Sequence, residues 1–194
     1  MERSGRWVTA VVAATMAVAP AGCQAANASA GTPRPAGSPS APASLGPPSP
    51  AALAGGACLL MDYATIRKDL GVQFAVAASA DTSGSYTCLL RTATTNLPDL
   101  VLAITATDLT SAEFTADVQP SGAKAVTDLG KVGYVQQIAA GSGTGPAIEV
   151  GWLSGNDRLI TMRFTSAQGT TVAQLTTMVD DMVTLARHVD ATTV

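Results

Sequence analysis

The sequence has few charged and few aromatic side chains. Charged residues make up 13% of the 194 residues, aromatic residues make up 4%, and His188 is the single histidine. From residue 56 onward, eight Lys and Arg stand against thirteen Asp and Glu, and the basic residues form no cluster. Nucleic-acid binding depends on clustered Lys and Arg, so nucleic acid is excluded as a partner. The acidic balance also disfavours direct adhesion of this part of the chain to an anionic membrane surface.

Residues of the kinds that carry catalysis are too scattered to form a familiar constellation. His188 lies near the end of the last predicted helix, where a capping or solvated imidazole is expected. Asp180 and Asp181 are adjacent on that helix, so their side chains point about 100° apart rather than converging as an acid–base pair. Ser154, in Gly-Trp-Leu-Ser-Gly, lies between two strands and not before a helix, unlike a nucleophile elbow. We therefore predict a protein that is not an enzyme and that has no cofactor.

One glycine-rich segment, Gly141–Gly145, invites comparison with a phosphate-binding loop. Such loops follow a strand and open a helix whose N–H groups face the anion. Here Pro146 and a strand-like run follow instead, and no Lys-Ser/Thr pair completes the motif. The segment is predicted to be a hairpin loop.

The first residues indicate an export signal. Arg3 and Arg6 precede a mostly apolar stretch of uncharged residues, 7–19, which is too short for a helix that must span a bilayer of about 30 Å. Small residues then lead to Cys23 in the order Ala21-Gly22-Cys23, which resembles the end of a bacterial lipobox. Pro20 stands where a lipobox usually has an aliphatic residue.

Diacylation of the Cys23 thiol and cleavage before this residue would leave a lipidated N-terminal cysteine, and two acyl chains are sufficient for stable anchoring. Residues 1–22 are thus predicted to be a lipoprotein signal peptide. The alternative is ordinary cleavage after Ala21 or Ala25, which would release a free secreted protein. Residues 24–56 are almost entirely Ala, Ser, Pro, Gly and Thr, with seven of the eleven prolines. We predict that residues 23–56 form a lipidated, disordered linker and that residues 57–194 form one extracytoplasmic domain.

The cysteine count fits this organisation. If Cys23 is lipidated, Cys58 and Cys88 remain as an even pair in an exported domain. We predict a disulfide between them, closing a loop of about 30 residues. Two buried thiols are the alternative. A metal site is not expected, because two cysteines and one distant histidine lack structural zinc spacing.

Hydrophobic periodicity predicts an α+β domain in which helices pack on one face of an antiparallel sheet, in the order α-βββ-α-βββ-α. The third strand is expected to be covered on both faces. An internal duplication of the αβββ unit is left open. The first predicted helix covers 59–70, with Asp62 as its cap and Gly71 at its end. A capping box at 110–113 opens the second helix, and the third runs from 170 or 171 to 189. The predicted strands cover 72–78, 86–92, 100–107, 132–138, 147–153 and 158–165.

The layout resembles a known group of proteins. Cys58-Leu59-Leu60, a short helix ending in Leu70-Gly71, and Cys88 follow a lipobox and a Pro/Ser-rich linker. This is similar to a family of uncharacterised actinobacterial cell-envelope lipoproteins, whose domain starts with a Cys-x-Leu-Leu-like segment and pairs that cysteine with one in a Cys-x-Trp strand. The resemblance implies location in the cell envelope and a disulfide, and it implies no reaction.

These observations favour a membrane-anchored, extracytoplasmic lipoprotein that acts as a non-enzymatic protein-interaction module of the cell envelope. The alternative is a carrier or sensor of a small apolar or lipid ligand, held in a cavity between sheet and helices. The expected partners are the membrane, through the anchor, and an envelope protein or lipid.

Overall fold

The computed structural model describes residues 50–193, and the predictions for residues 1–49, including lipidation of Cys23, lie outside them. Two 3-10 turns, Ala51–Ala54 and Gly56–Leu60, come first. The helices are α1 (Tyr63–Leu70), α2 (Ser111–Glu113, continued by a π-helical turn, Phe114–Val118), α3 (Val172–Thr176) and α4 (Val179–Thr192). The strands are β1 (Val76–Thr82), β2 (Ser85–Arg91), β3 (Asp99–Ala106), β4 (Lys124–Val126), β5 (Val132–Ile138), β6 (Ala147–Leu153) and β7 (Arg158–Thr165).

The seven strands form one antiparallel sheet in the order β1-β2-β3-β7-β6-β5-β4. Two meanders, β1-β2-β3 and β4-β5-β6-β7, are joined where β3 pairs with β7. Residues 50–193 therefore form a single α+β domain, as their periodicity predicts. The hairpin β6–β7 and strand β5 have the predicted bounds.

The main core lies on one face of the sheet, which we call the covered face. Alternate residues of the central strands point to it, and helices α1 and α4 pack over them. Met182 and Ala186 of α4 are fully buried there, and each large aliphatic side chain withdrawn from water contributes about 1.5–3 kcal/mol. The sheet residues of this face include Leu90, Leu102, Ile148, Val150, Trp152, Ile160, Met162 and Phe164.

A second, smaller core lies on the opposite face. Phe114, at the start of the π-helical turn, packs against Tyr134 and Leu153, with the two aromatic ring centroids 5.9 Å apart. The expectation that all helices lie on one face is therefore wrong for α2. Its capping box is present as predicted: Thr110 accepts from the N–H of Glu113, and Glu113 accepts from the N–H of Thr110.

The first helix and the first strand start later than predicted. Asp62 is the N-cap of α1 and Gly71, at φ 69°, is its C-cap, as expected, but residues 56–60 before it form a 3-10 turn. Strand β1 begins at Val76 rather than residue 72. Phe74 is buried although it precedes the strand, so its burial reflects core packing by a non-strand segment and not strand alternation.

The last helix is divided in two, and a short strand was missed. Helix α3 ends at Thr176, where Thr176 Oγ1 donates 2.8 Å to the carbonyl of Val172 and Thr177 Oγ1 donates 2.8 Å to that of Gln174. Such back-bonding by threonine weakens a helix, and α4 begins at Val179. Strand β4 has three residues and little hydrophobic pattern, which explains why periodicity alone does not find it. Within residues 50–193, no helix is long and apolar enough to cross a membrane.

Candidate functional site: an uncovered face of the sheet

Among residues 50–193, no helix packs over β1, β2 and β3 on the face opposite the main core, and we call this area, with the adjoining side of β7, the open face; Leu159, at one end of β7, packs against the Phe114 cluster. In the described part of the chain, the only helical segment packed on this side is that of Phe114, which covers the β5–β6 end. The open face comprises alternate residues of four paired strands: Val76, Ala78, Ala80 and Thr82; Ser85, Thr87, Leu89 and Arg91; Asp99, Val101, Ala103 and Thr105; and Leu159, Thr161, Arg163 and Thr165.

The open face carries mainly aliphatic and hydroxyl side chains. Leu89 and Val101 are cross-strand partners near its centre, and both are half-buried rather than buried. Ser85 and Thr105 are also partners, with their hydroxyl oxygens 2.9 Å apart. The expectation that β3 is covered on both faces is wrong, because its Val101 side lies on the open face. Exposed and half-buried aliphatic side chains on an uncovered sheet surface make this face a candidate for contact with another macromolecule.

Charged groups border the aliphatic centre of the open face. Arg163 is exposed and lies opposite Glu149 in the β6–β7 register. Arg91 and Asp99 are cross-strand partners at one end. The Nε atom of Arg91 and the Oδ1 atom of Asp99 are buried and have no hydrogen-bond partner. Buried polar atoms without partners are costly, so this end of the open face carries an energetic cost within the fold.

Glu149 is held in place by its neighbours. Tyr134 donates its hydroxyl to Glu149 Oε1 at 3.0 Å, and Gln136 Nε2 donates to the same oxygen at 2.8 Å. Burial and, after it, the charge of Glu149 raise the pKa of Tyr134 well above its usual range, so the phenol stays a donor at ordinary pH. The ring of Tyr134 lies against Gly151, where an added Cβ would come within 2.6 Å of it.

A cavity of about 460 Å³ lies at the other side of the sheet, where β4 and β5 meet α3 and α4. Its lining is about equally polar and apolar: the polar side chains are those of Lys124, Gln136, Gln137, Thr176 and Asp180, and the apolar ones are those of Val135 and Val179. The two charged residues of this lining, Lys124 and Asp180, do not suit a wholly apolar ligand.

The residues considered as catalytic candidates are separated in the structure. His188 Nδ1 lies 3.1 Å from Asp69 Oδ2, which joins α4 to α1, and in the described region no hydroxyl or thiol hydrogen-bonds to this ring. Ser154 is buried in the β6–β7 turn, where its hydroxyl bonds Asn156 at 2.7 Å. Asp180 and Asp181 are both exposed in the first turn of α4. Among residues 50–193, no three His, Cys, Asp or Glu side chains are grouped to hold a metal ion.

The glycine-rich segment is a hairpin loop between β5 and β6, as predicted. Gly145 N–H donates 3.1 Å to the carbonyl of Ser166, and the Ser166 hydroxyl donates 2.6 Å to that of Pro146. The loop therefore packs against the segment that follows β7, and a strand rather than a helix comes after it.

Cys58 and Cys88 form the predicted disulfide, and both are fully buried. The bond joins the second 3-10 turn to β2 on the covered face. The start of the packed structure is earlier than predicted, because Ala51 is already buried.

The sequence predicts a presented sheet face and a cavity between sheet and helices only in general terms, and it does not identify the residues that form them. The only signal for the open face is the alternation of β2 and β3, whose outward positions hold Leu89 and Val101 instead of charged residues. Comparison with protein-family models, curated proteins and solved structures gives no match to this chain.

Proposed function

We propose that this protein is a membrane-anchored, extracytoplasmic lipoprotein whose folded domain is a non-enzymatic interaction module of the cell envelope. The observation that carries the proposal is the open face, a sheet surface without covering helices. Its aliphatic centre at Leu89 and Val101 and its charged border at Arg163 fit a protein partner. The export signal, the Ala21-Gly22-Cys23 motif and the disulfide support the anchored, extracytoplasmic location, as does the resemblance to actinobacterial envelope lipoproteins.

The partner of the open face is proposed to be a protein and not a lipid. A lipid carrier needs an enclosed apolar volume, whereas the open face is a sheet surface and the 460 Å³ cavity is partly open and carries the charged residues Lys124 and Asp180. The carrier function therefore ranks second.

Anchoring is tested by metabolic labelling with palmitate in an actinobacterial host. The full chain should take up label and fractionate with membranes, and Cys23→Ala should lose both properties. Gln24→Ala is the control, because it changes the neighbouring residue and keeps the thiol. Label retained by Cys23→Ala would contradict lipidation at this position.

The interaction is tested by placing a photo-crosslinking amino acid at Arg163, on the open face, or at Ala173, exposed on α3. A discrete envelope-protein adduct is expected from position 163 and not from position 173. Val101→Arg should remove the adduct, because it places a charge in the aliphatic centre. Identical products from both positions, or none from 163, would contradict the proposal.

A further inference from the structure

Strand β4 covers only part of the outer edge of β5. Its residues 124–126 pair with residues 133–135, while β6 pairs with the whole of β5 on the inner side. Along Gln136–Ile138, no strand among residues 50–193 lies on the outer side. Alternate residues of an unpaired antiparallel edge direct their N–H and C=O groups outward. One or two of these three residues therefore present backbone groups that no described strand pairs with, and Gly122 of the turn before β4 lies beside the same cavity.

The cavity adjoins this unpaired edge. Val135 and Gln137 of β5 form one wall, and Thr176 and Asp180, on either side of the break between α3 and α4, form the other. Gln137 Nε2 donates 3.0 Å to Thr176 Oγ1 and bridges the two walls. A volume of about 460 Å³ lies within the usual range of ligand pockets, about 300–1,000 Å³.

Two opposite charges mark the cavity. Lys124 stands on the β4 side and Asp180 on the α4 side, and both are exposed. Within the described residues, neither side chain forms an ion pair. The site thus offers a cation, an anion and a small apolar wall at Val135 beside these main-chain groups.

We propose that this cleft binds an extended peptide segment of mixed charge, which adds a strand beside Gln136–Ile138. The peptide backbone would pair with the edge of β5, and alternate side chains would enter the cavity. A basic side chain is recognised by Asp180, and an acidic side chain or a terminal carboxylate by Lys124. A small polar molecule would fill the cavity but leave the edge of β5 unpaired. A peptide would contact both the cavity and the backbone groups of this edge. This site is separate from the open face and does not rest on it.

The experiment selects random nonapeptides displayed on phage against the full chain, and measures the binding of the synthesised winners by fluorescence anisotropy. Thr176→Trp fills the cavity and should weaken binding at least about tenfold. Asp180→Asn removes one charge and should weaken binding of peptides that carry Lys or Arg about three- to fivefold. Thr177→Trp and Asp181→Asn are the matched controls: each changes a neighbouring exposed residue outside the cavity lining and should leave binding unchanged.

Hydrogen exchange locates the bound peptide. Amides of Gln136–Ile138 should exchange more slowly when the peptide is present. The proposal is overturned if no peptide is enriched, if Thr176→Trp leaves peptide affinity unchanged, or if the amides that become protected lie outside Gln136–Ile138. Protection confined to β2 and β3 would overturn this site while supporting the open face, so failure of one proposal is distinguishable from failure of the other.

Discussion

Asp62 shows how a single carboxylate both starts a helix and makes stability depend on pH. Its Oδ2 atom accepts from the Thr65 hydroxyl at 2.7 Å and from the Thr65 N–H at 2.9 Å. These hydrogen bonds, the side-chain one first, lower the pKa of Asp62 below its ordinary value of 3.8. Because the folded pKa is the lower one, this contribution is present above the ordinary pKa and is lost as the pH falls through the folded pKa.

We expect Asp62→Ala to lower the free energy of unfolding by about 1 kcal/mol at pH 7. Asp62→Asn should stay close to the wild type at pH 7, since the amide oxygen still caps the helix. Urea unfolding at pH 7 and pH 3 checks both results. The free energy of unfolding of the wild type should fall relative to that of Asp62→Asn as the pH drops below about 4. A difference in free energy that is constant with pH would contradict this role of Asp62.

Asp190 joins the last helix to the sheet. Its Oδ1 accepts from the indole N–H of Trp152 at 2.9 Å, and its Oδ2 accepts from the N–H of Gly130 at 3.2 Å. Gly130 has φ 57°, and an added Cβ would lie 2.3 Å from the carbonyl oxygen of Leu153. The backbone at Gly130, which donates to this carboxylate, therefore has no room for a larger residue.

Asp190→Ala should cost about 1–3 kcal/mol of unfolding free energy, because the buried indole N–H loses its acceptor. Asp108→Ala is the control, since Asp108 is exposed, and its effect should stay within about 0.5 kcal/mol. Chemical unfolding followed by Trp152 fluorescence measures both variants. Equal stability of the two would show that the Trp152–Asp190 hydrogen bond contributes little.

At the scale of elements, the disulfide fixes the 3-10 turns to the sheet. Cys58 and Cys88 are 30 residues apart, and closing a loop of that length stabilises the fold by about 3–4 kcal/mol in the chain-entropy model. The double variant Cys58→Ala/Cys88→Ala should lose about this amount in urea unfolding. Hydrogen exchange should also become faster in residues 51–60 than in β6, and unchanged protection of residues 51–60 would contradict the role of the bond as their attachment.

Elements could be predicted from the sequence where burial and hydrogen bonding follow one period. Strands β5, β6 and β7 have the predicted bounds because their alternate residues face a core. Strand β1 was misplaced because Val72 and Phe74 pack against the core before the strand begins, whereas the strand itself is almost entirely exposed. The break at Thr176–Thr177 was missed because the apolar spacing of Leu175, Val179 and Met182 continues across it.

The candidate sites belong to the whole molecule and could not be read from any one segment. Leu89 and Val101 have ordinary aliphatic side chains, and only the position of α2 near Tyr134 leaves them uncovered. The cavity depends on a short β4, on the edge of β5 and on the helix break together. The duplication left open by the sequence is disfavoured, because α1 and α2, which precede the two meanders, pack on opposite faces of the sheet.

The order of the strands predicts a gradient of stability across the domain. Strands β3, β7 and β6 each lie between two partners, while β1 and β4 are the edges. Amides of the three central strands should therefore exchange only by global unfolding, and those of β4 by local opening. Native-state hydrogen exchange across a urea series measures this order, and slow exchange in β4 equal to that in β7 would contradict it.

The position of the disulfide also determines how the domain would bear a mechanical load. Tension applied at the N-terminal end passes along residues 51–57 to Cys58, crosses the sulfur–sulfur bond and enters β2 at Cys88. Residues 59–87, which include α1 and β1, lie outside this covalent path and are loaded only through contacts such as those of β1 with the 3-10 turns. A tether pulled through the proposed linker would extend the domain only by the residues before Cys58 until β2 itself gives way.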